Sequence, residues 1–332
     1  MQREKKYKAI VTRETKSGYS NSVEMLSFDQ LPDNDVLIRV HYSSLNYKDA
    51  LSASGNKAVT KQYPHTPGVD AAGIVAESRD SNFKKGDKVI VTSFDLGMNT
   101  PGGFGQYIRV SAGWILPLPS GLTLRESMIL GTAGLTAAIG IEKIVNAGIE
   151  PGKGEIVVTG ATGGVGSCAV AILSKLNYQV TAVTGKEDRH NFLKTLGAAT
   201  IAGRDTVSDE SGKPLLGGRW TGAVETVGGR ILDTVIRQTV HNGVVTCCGN
   251  ILGHELHTNV YPFILRGVSL MGIDSGICLM KDRKRVWELL SGKWKPDHLN
   301  TLAREVELSE VPNEIKKMLN AKQTGRILIN LT

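Results

Sequence analysis

The pattern of hydrophobic and polar positions changes about one third of the way along the chain. Residues 36–43 alternate as VLIRVHYS, which predicts a strand with one buried face. Similar short strands are predicted at residues 73–76, 88–92 and 107–110, with glycine and proline between them. The first third is therefore predicted to be rich in β structure.

Beyond residue 127 the strand and helix patterns alternate. Strands are predicted at residues 156–159, 179–183, 222–226 and 243–248, and helices at residues 165–176, 188–196 and 231–238. This alternation is typical of a parallel sheet with helices packed on it. The last segment, with helices at 281–290 and 311–321 and strands at 304–308 and 326–331, is predicted to rejoin the first domain.

These patterns predict an α/β protein whose domains comprise residues 1–126, 127–272 and the C-terminal return 273–332. A length of 332 residues agrees with more than one hydrophobic core. The uncharged stretch 127–141 is shorter than the roughly 20 residues that span a bilayer, so a buried helix is expected and no membrane partner.

Composition and charge narrow the class of protein further. The four cysteines show no CxxC spacing and no export segment is visible at the start, which together favour a reducing, cytoplasmic location. The net charge of +7 is spread along the chain without interleaved aromatic residues, which argues against a nucleic-acid partner.

A glycine-rich turn marks the candidate nucleotide site. Residues 156–166, IVVTGATGGVG, run from a β-branched strand into a helix. Aligned with the G-x-G-x-x-G pattern, the three positions are Ala161, Gly163 and Gly166, so the first glycine is replaced. Free amides at the start of the helix would bind a pyrophosphate.

The residues after the second strand bear on the choice of cofactor. An NAD-binding fold usually places Asp or Glu there, whereas this chain has Thr184, Gly185 and Lys186. A hydroxyl and an ammonium group would hold a 2′-phosphate that a carboxylate would repel, and Arg204 offers a second cation. NADP(H) is therefore the predicted cofactor.

Several longer segments resemble one enzyme family over nearly the whole chain. They are SSLNYKD at 43–49, PGVDAAG at 67–73, GTAG at 131–134, the turn 159–166, PFILR at 262–266 and GIDS at 272–275. They are similar to the medium-chain dehydrogenase/reductase superfamily, and within it to the YhdH/YhfP branch of quinone oxidoreductases, which includes acrylyl-CoA reductases. The resemblance implies a GroES-like β-rich catalytic domain and a Rossmann, doubly wound parallel-sheet domain that binds NADP.

The resemblance also bears on zinc. The positions that correspond to the three catalytic zinc ligands of alcohol dehydrogenases are Asn46, Val69 and Thr132, and valine has no lone pair to offer. The resemblance therefore implies no zinc. Without that Lewis acid, reduction of an activated acceptor is favoured over dehydrogenation of a simple alcohol.

The family resemblance implies a set of cofactor contacts, carried over position by position. They are Tyr47, Thr162, Gly163, Gly164, Val165, Thr184, Gly185, Lys186, Arg204, Asn250, Ile264 and Ser275. Where relatives place an asparagine near the C-terminal contact, this chain has Ala321.

The catalytic candidates are Tyr47 and Asn46, which follow an apolar strand. Tyr47 has two open roles, to bind the cofactor ribose or to give a proton to the reduced substrate. Asp49 and Asp70 are interpreted as hydrogen-bond acceptors that fix the loop.

The predicted function is zinc-independent hydride transfer from NADPH to a quinone or to the C=C bond of an enone or enoyl thioester, with the physiological substrate left open. The alternative is an NADPH-binding protein with little catalysis, like structural or RNA-binding relatives. Lys57 and Lys61 are candidates for holding the phosphates of an enoyl-CoA. The apolar stretch 267–273 is predicted as the edge strand of the parallel sheet, and the resemblance implies that a second subunit covers it in a homodimer.

Overall fold

The structure is a computed structural model that describes residues 6–332. Two compact units make up the fold. The first comprises the described residues up to Thr132 together with Gly276–Ser291 and Ala303–Thr332, and the second comprises Ala133–Ser275 and Gly292–Leu302.

The strands of the described residues are β1 (Lys6–Thr15), β2 (Gly18–Ser27), β3 (Val36–Leu45), β4 (Asp70–Ser78), β5 (Lys88–Thr92), β6 (Tyr107–Val110), β7 (Ile115–Pro117), β8 (Glu155–Val158), β9 (Gln179–Val183), β10 (Thr200–Ala202), β11 (Trp220–Glu225), β12 (Thr239–Cys247), β13 (Ser269–Gly272), β14 (Ala303–Glu307) and β15 (Arg326–Asn330). The α-helices are α1 (Tyr47–Ala53), α2 (Leu124–Asn146), α3 (Gly164–Lys175), α4 (His190–Thr195), α5 (Gly229–Gln238), α6 (Tyr261–Arg266), α7 (Met280–Ser291) and α8 (Val311–Leu319).

The first unit is built on a seven-stranded mixed sheet in the order β14-β15-β3-β4-β5-β7, with β6 also paired to β3. Its apolar side chains form one buried cluster that draws on strands from both ends of the chain, including Ile38, Val75, Ile108 and Ile329. β15 pairs antiparallel with β3, so the C-terminal segment completes this sheet. The predicted richness of the first third in β structure is confirmed.

The second unit contains a six-stranded sheet in the order β10-β9-β8-β11-β12-β13, and every pair in it is parallel. This order is that of the doubly wound dinucleotide-binding fold, whose direction of winding reverses between β8 and β11. The predicted strand 179–183 coincides with β9, and the predicted final strand is β13, at the edge beside β12. The Rossmann prediction is confirmed.

Three segments differ from their sequence-based predictions. The predicted helix 188–196 begins as a 3-10 turn and becomes α4 only at His190. Helix α8 ends at Leu319 instead of residue 321, because Ala321 has a left-handed φ of 55° that no α-helix continues through. Residues 292–302 belong to the second unit, where Lys175 pairs with Asp297 at 2.6 Å, instead of staying with the rest of the C-terminal return.

Helix α2 is longer than the uncharged stretch that predicted it. It has 23 residues because helix-forming charged residues extend the apolar stretch at both ends, and it bends at Gly131, whose φ of 51° and ψ of −152° are not helical. By length and composition alone it could cross a membrane, but 72% of its most apolar window is buried within the protein. A core helix passes the same test, so this is weak support for a membrane span.

Candidate functional site

The glycine-rich turn joins β8 to α3 in the second unit. Gly160 takes a left-handed φ of 56°, and the amide of Ala161 donates to the Val183 carbonyl of β9 at 3.1 Å. A side chain at Gly166 would collide with the Gly160 backbone, so a glycine is needed where helix and strand meet. The tight bend therefore has its glycine, one residue before the Ala161 position that the alignment gave.

The first turn of α3 offers backbone amides to an anion. Its cap residue is Gly163, which has no side chain to satisfy the first amides of the helix. Thr162 is buried just before it, and Gly164 and Val165 are its first residues. An N-terminus of this kind is suited to a phosphate group.

A group of cations lies beyond the end of β9. Thr184 is buried, and its hydroxyl accepts from the Lys186 amide at 3.1 Å and lies 3.4 Å from the Thr162 hydroxyl. An added Cβ on Gly185 would lie 2.9 Å from Nε of Arg204, so that guanidinium packs against the Gly185 backbone. Burial, with the charges of Arg189 and Arg204, lowers the pKa of Lys186. This positive cluster is a suitable environment for a 2′-phosphate.

Three predicted cofactor contacts of the second unit remain, and they are Asn250, Ile264 and Ser275. Asn250 follows β12 and lies against the backbone of Gly228, and the Ser275 hydroxyl after β13 is 2.6 Å from that of Thr136. Both follow the carboxyl ends of parallel strands, as the glycine turn and the cation cluster do.

Ile264 lies on α6, the helix that precedes β13, and its side chain is 67% exposed. At the end of the same helix Arg266 donates to the carbonyls of Arg237 in α5 and Thr239, the first residue of β12. The contact of Ile264 with the cofactor stays a prediction.

The catalytic candidates lie where β3 meets α1 in the first unit. Asn46 is the cap residue of α1, and its backbone amide donates to Asp49 at 2.7 Å. Its side chain donates to Asp70 at 2.7 Å and accepts from Arg326 at 3.1 Å. Both polar atoms of the Asn46 side chain are therefore engaged inside the protein. Tyr47 follows it and is 40% exposed.

Asp49 and Asp70 accept hydrogen bonds that fix the junction between β3 and α1. Asp49 accepts from the amides of Asn46 and Val69, and burial raises the pKa of its carboxyl to about 7. Asp70 accepts from Ser44, Asn46 and Thr132. Both contacts agree with the interpretation of these residues as loop-fixing acceptors.

The positions that correspond to zinc ligands do not suit zinc. Val69 is a buried aliphatic residue, and the Thr132 hydroxyl is engaged with Asp70 at 2.7 Å and Ser93 at 2.8 Å. Asn46 is held by Asp70 and Arg326. Over residues 6–332 the structure shows no group of three or more His, Cys, Asp or Glu that could hold a metal ion.

Three buried residues whose side chains make hydrogen bonds were not predicted from the sequence. Arg326 and Glu225 are buried charged side chains, and Thr159 is a buried hydroxyl bonded to Glu225 at 2.9 Å. Glu225 ends a buried strand and precedes Gly228 and Gly229, which is a signal that could have been noticed. Lys57, a candidate for phosphate binding, lies 4.7 Å from the Tyr63 ring centre and 3.6 Å from Glu14.

Comparison with known proteins places the chain in a family. A family model for the alcohol dehydrogenase GroES-like domain matches residues 32–120, and a model for zinc-binding dehydrogenase matches residues 164–292. YhfP of Bacillus subtilis, which carries the name of a quinone oxidoreductase, is 42% identical over 326 residues, which are 98% of this chain and 99% of YhfP. Acrylyl-CoA reductase AcuI of Ruegeria pomeroyi is 39% identical over 323 residues, which are 97% of this chain and 98% of AcuI.

Solved structures agree with these sequence matches. The YhdH oxidoreductase of Salmonella enterica, in complex with NADP, has a TM-score of 0.95 at 41% identity, and the match covers 98% of this chain and 100% of YhdH. YhfP of Bacillus subtilis with NAD bound has a TM-score of 0.95 at 42% identity, with the same coverage of 98% and 100%. The chain thus belongs to the medium-chain dehydrogenase/reductase superfamily, in the branch that contains YhdH, YhfP and AcuI.

Proposed function

We propose that this protein is a zinc-independent, NADPH-dependent oxidoreductase that reduces a quinone, or the C=C bond of an enone or enoyl thioester. The observation that carries the proposal is the cationic end of β9, where Thr184, Lys186 and Arg204 stand and no acid occupies the place that would repel a 2′-phosphate. The glycine turn and the amides of α3 provide for the pyrophosphate of the same ligand.

The names of the relatives support the reaction class. The preference for NADPH over NADH is argued from residues of this chain. YhfP and AcuI bear the names of a quinone oxidoreductase and an acrylyl-CoA reductase. The YhdH structure holds NADP and the YhfP structure holds NAD. Because these two similar proteins were seen with different dinucleotides, the preference for NADPH rests on the cation cluster described above.

When bound, NADPH supplies a hydride from nicotinamide C4. In the enone or enoyl thioester case a C–H bond forms at the β carbon, the electrons of the C=C bond move onto the carbonyl oxygen, and a proton then adds at the α carbon. The chain must orient the acceptor, stabilise the developing negative charge by hydrogen bonding and deliver that proton. Tyr47 is the proposed residue for direct contact, and Asn46 positions it.

Two roles for Tyr47 are distinguished by Tyr47→Phe. A proton donor predicts a lower kcat with unchanged NADPH affinity, whereas a ribose contact predicts weaker NADPH binding with a smaller effect on kcat. Both differ from a purely structural role, which would lower stability and leave both parameters of the folded enzyme unchanged.

Zinc independence rests on residue chemistry. A buried valine at one ligand position, and an amide and a hydroxyl committed to Asp70 at the others, offer no ligand set of the kind that holds catalytic zinc. We expect full activity after prolonged chelation. Elemental analysis that finds one tightly held zinc per chain would contradict this.

The test of the function is a cofactor-oxidation screen of acrylyl-CoA, crotonyl-CoA, simple enones and quinones, each with NADPH and NADH. Turnover of an enoyl thioester or quinone with NADPH is the expected result. Tight NADPH binding with no turnover of any acceptor would favour the alternative of a binding protein with little catalysis.

A cytoplasmic homodimer completes the proposal. The four cysteines are free thiols, which suits a reducing compartment. β13 is an edge strand beside β12, and apolar side chains are exposed in the segment that precedes it, among them Ile251, Val260 and Leu265. Pairing of two β13 strands about a two-fold axis would satisfy the free edge and cover these side chains.

A further inference from the structure

The two strands on either side of the point where the sheet reverses its winding are joined at their carboxyl ends by side chains. Thr159 follows β8, and Glu225 is the last residue of β11. Both side chains are completely buried. In doubly wound sheets a ligand binds in the crevice outside this point, so contacts here would lie next to a bound dinucleotide.

The contact is reciprocal. The Thr159 hydroxyl donates to the Glu225 carboxylate at 2.9 Å and accepts from the Thr226 amide at 2.9 Å. The Thr226 hydroxyl donates in turn to the Thr159 carbonyl at 2.8 Å. We call Thr159, Glu225 and Thr226 the strand-end clamp.

The clamp is in contact with the bend of the glycine turn. A Cβ added to Gly160 would lie 2.6 Å from the Thr226 hydroxyl oxygen and 3.1 Å from Val227. Gly160 is the residue whose left-handed φ of 56° directs the chain into the turn. A shift of Thr226 would therefore displace the bend that precedes the amides of Gly164 and Val165.

Glu225 also fixes the segment that leads from β11 into α5. It accepts from the amides of Val227 at 2.9 Å and Gly228 at 3.0 Å, immediately before α5. The carboxylate thus satisfies the two amides that precede α5, and both α3 and α5 begin at a glycine cap, Gly163 and Gly228. Although burial raises the pKa of Glu225, three donors make four hydrogen bonds to its carboxylate, which fixes its orientation.

We propose that the strand-end clamp is the positioning element that holds the pyrophosphate-binding turn in register with the sheet. The inference rests on the proposed NADPH-dependent function and adds to it residues that act through the turn. Loss of the clamp should lower the affinity for ligands that contact the turn. It should leave unchanged the affinity for ligands that contact only the cation cluster of Lys186 and Arg204.

The test compares Thr159→Val with Thr159→Ser by calorimetric titration of two probes. NADPH uses both the turn and the cation cluster, whereas adenosine 2′-monophosphate has no pyrophosphate. For Thr159→Val we expect roughly tenfold weaker NADPH binding, the effect of about 1.4 kcal/mol, with adenosine 2′-monophosphate affinity unchanged. Thr159→Ser keeps the hydroxyl and should restore NADPH affinity to within about threefold.

Thr181→Val is the matched control. Thr181 is buried on β9, and its hydroxyl donates to Glu155 on the neighbouring β8 at 2.6 Å. The substitution therefore removes a threonine–glutamate hydrogen bond between adjacent strands at a place away from the turn. It should leave the affinities of both probes unchanged. If Thr159→Val does not fold, Thr226→Val removes only the hydroxyl that contacts Gly160 and should show the same selectivity.

Equal weakening of both probes, or no change in NADPH affinity, would overturn the inference. Normal NADPH binding by the clamp variants would leave the proposed function standing. Failure of the unmutated protein to bind NADPH would remove the proposed function and the inference together.

Discussion

Arg326, the first residue of the final strand, lies with its guanidinium 3.7 Å from the carboxylate of Asp70, and both side chains are almost completely buried. The same guanidinium donates to the Asn46 side chain at 3.1 Å and to Ser44 at 2.8 Å. The C-terminal strand therefore supports the start of α1, where Tyr47 lies.

Arg326→Met should destabilise the first unit by about 3–5 kcal/mol, because it leaves the Asp70 carboxylate buried without its cation. Arg326→Lys keeps the charge and should lose less. Urea denaturation gives the free energies of unfolding. The exposed pair of Arg13 and Glu24 is the control, and Arg13→Gln should cost no more than about 1 kcal/mol. Equal losses at the two positions would contradict the role given to Arg326.

Asp49 predicts a pH dependence of stability. Burial raises its pKa from an ordinary 3.8 to about 7, so between these values the folded protein binds a proton that the unfolded chain has released. Its stabilising contribution is full below pH 3.8 and is lost as the pH rises through 7, at up to about 1.4 kcal/mol per pH unit.

Asp49→Asn abolishes this titration. The stability of the unmutated protein relative to Asp49→Asn should therefore fall between about pH 4 and about pH 7 and level off above that, whatever the constant difference between the two proteins. Denaturant titrations at several pH values measure this difference. A difference that stays flat over the range would show that Asp49 is ionised throughout.

Cofactor selectivity should depend on Lys186 and Arg204. NADPH is expected to bind at least about tenfold more tightly than NADH, since each charge-assisted contact with the 2′-phosphate contributes roughly 1.5–3 kcal/mol. Lys186→Ala and Arg204→Ala should each weaken NADPH and leave NADH unchanged. Lys194→Ala, on α4 in the same unit, should alter neither affinity. Equal affinities of the unmutated protein for both cofactors would refute the assignment.

The proposed dimer predicts that charge next to β13 releases monomers. Leu265 is 56% exposed at the end of α6, and Leu265→Glu would place a carboxylate in the apolar cover of the edge strand. Light scattering at micromolar concentration should report a dimer for the unmutated protein and a monomer for this variant. Met25→Glu changes an equally exposed side chain on β2 and should stay dimeric. A monomeric unmutated protein would exclude the dimer.

Ala321 offers a way to stabilise the fold. Its left-handed φ of 55° is unfavourable for alanine, whereas glycine and asparagine adopt it more readily. Ala321→Gly and Ala321→Asn should each raise the free energy of unfolding by up to about 1 kcal/mol. Asn320→Gly, one residue earlier where φ is −90°, should be neutral or destabilising. A loss of stability at residue 321 would contradict this account.

The sequence determined those features whose causes are local. β9 and the turn at 160–166 follow from strand periodicity and from glycines at fixed spacing, and Lys186 lies three residues after the end of β9. Since neighbouring strands of a parallel sheet end at one edge, local patterns were enough to place the phosphate turn beside the cations.

Only the tertiary structure decided the contacts that join distant segments. Arg326 meets Asp70 and Asn46 because the last strand returns to β3, and Gly131 bends α2 because these polar groups need the space that a side chain would fill. A buried charge needs partners that are close in space, and these can come from distant parts of the chain. The spacing of residues in the sequence does not predict which of them will meet.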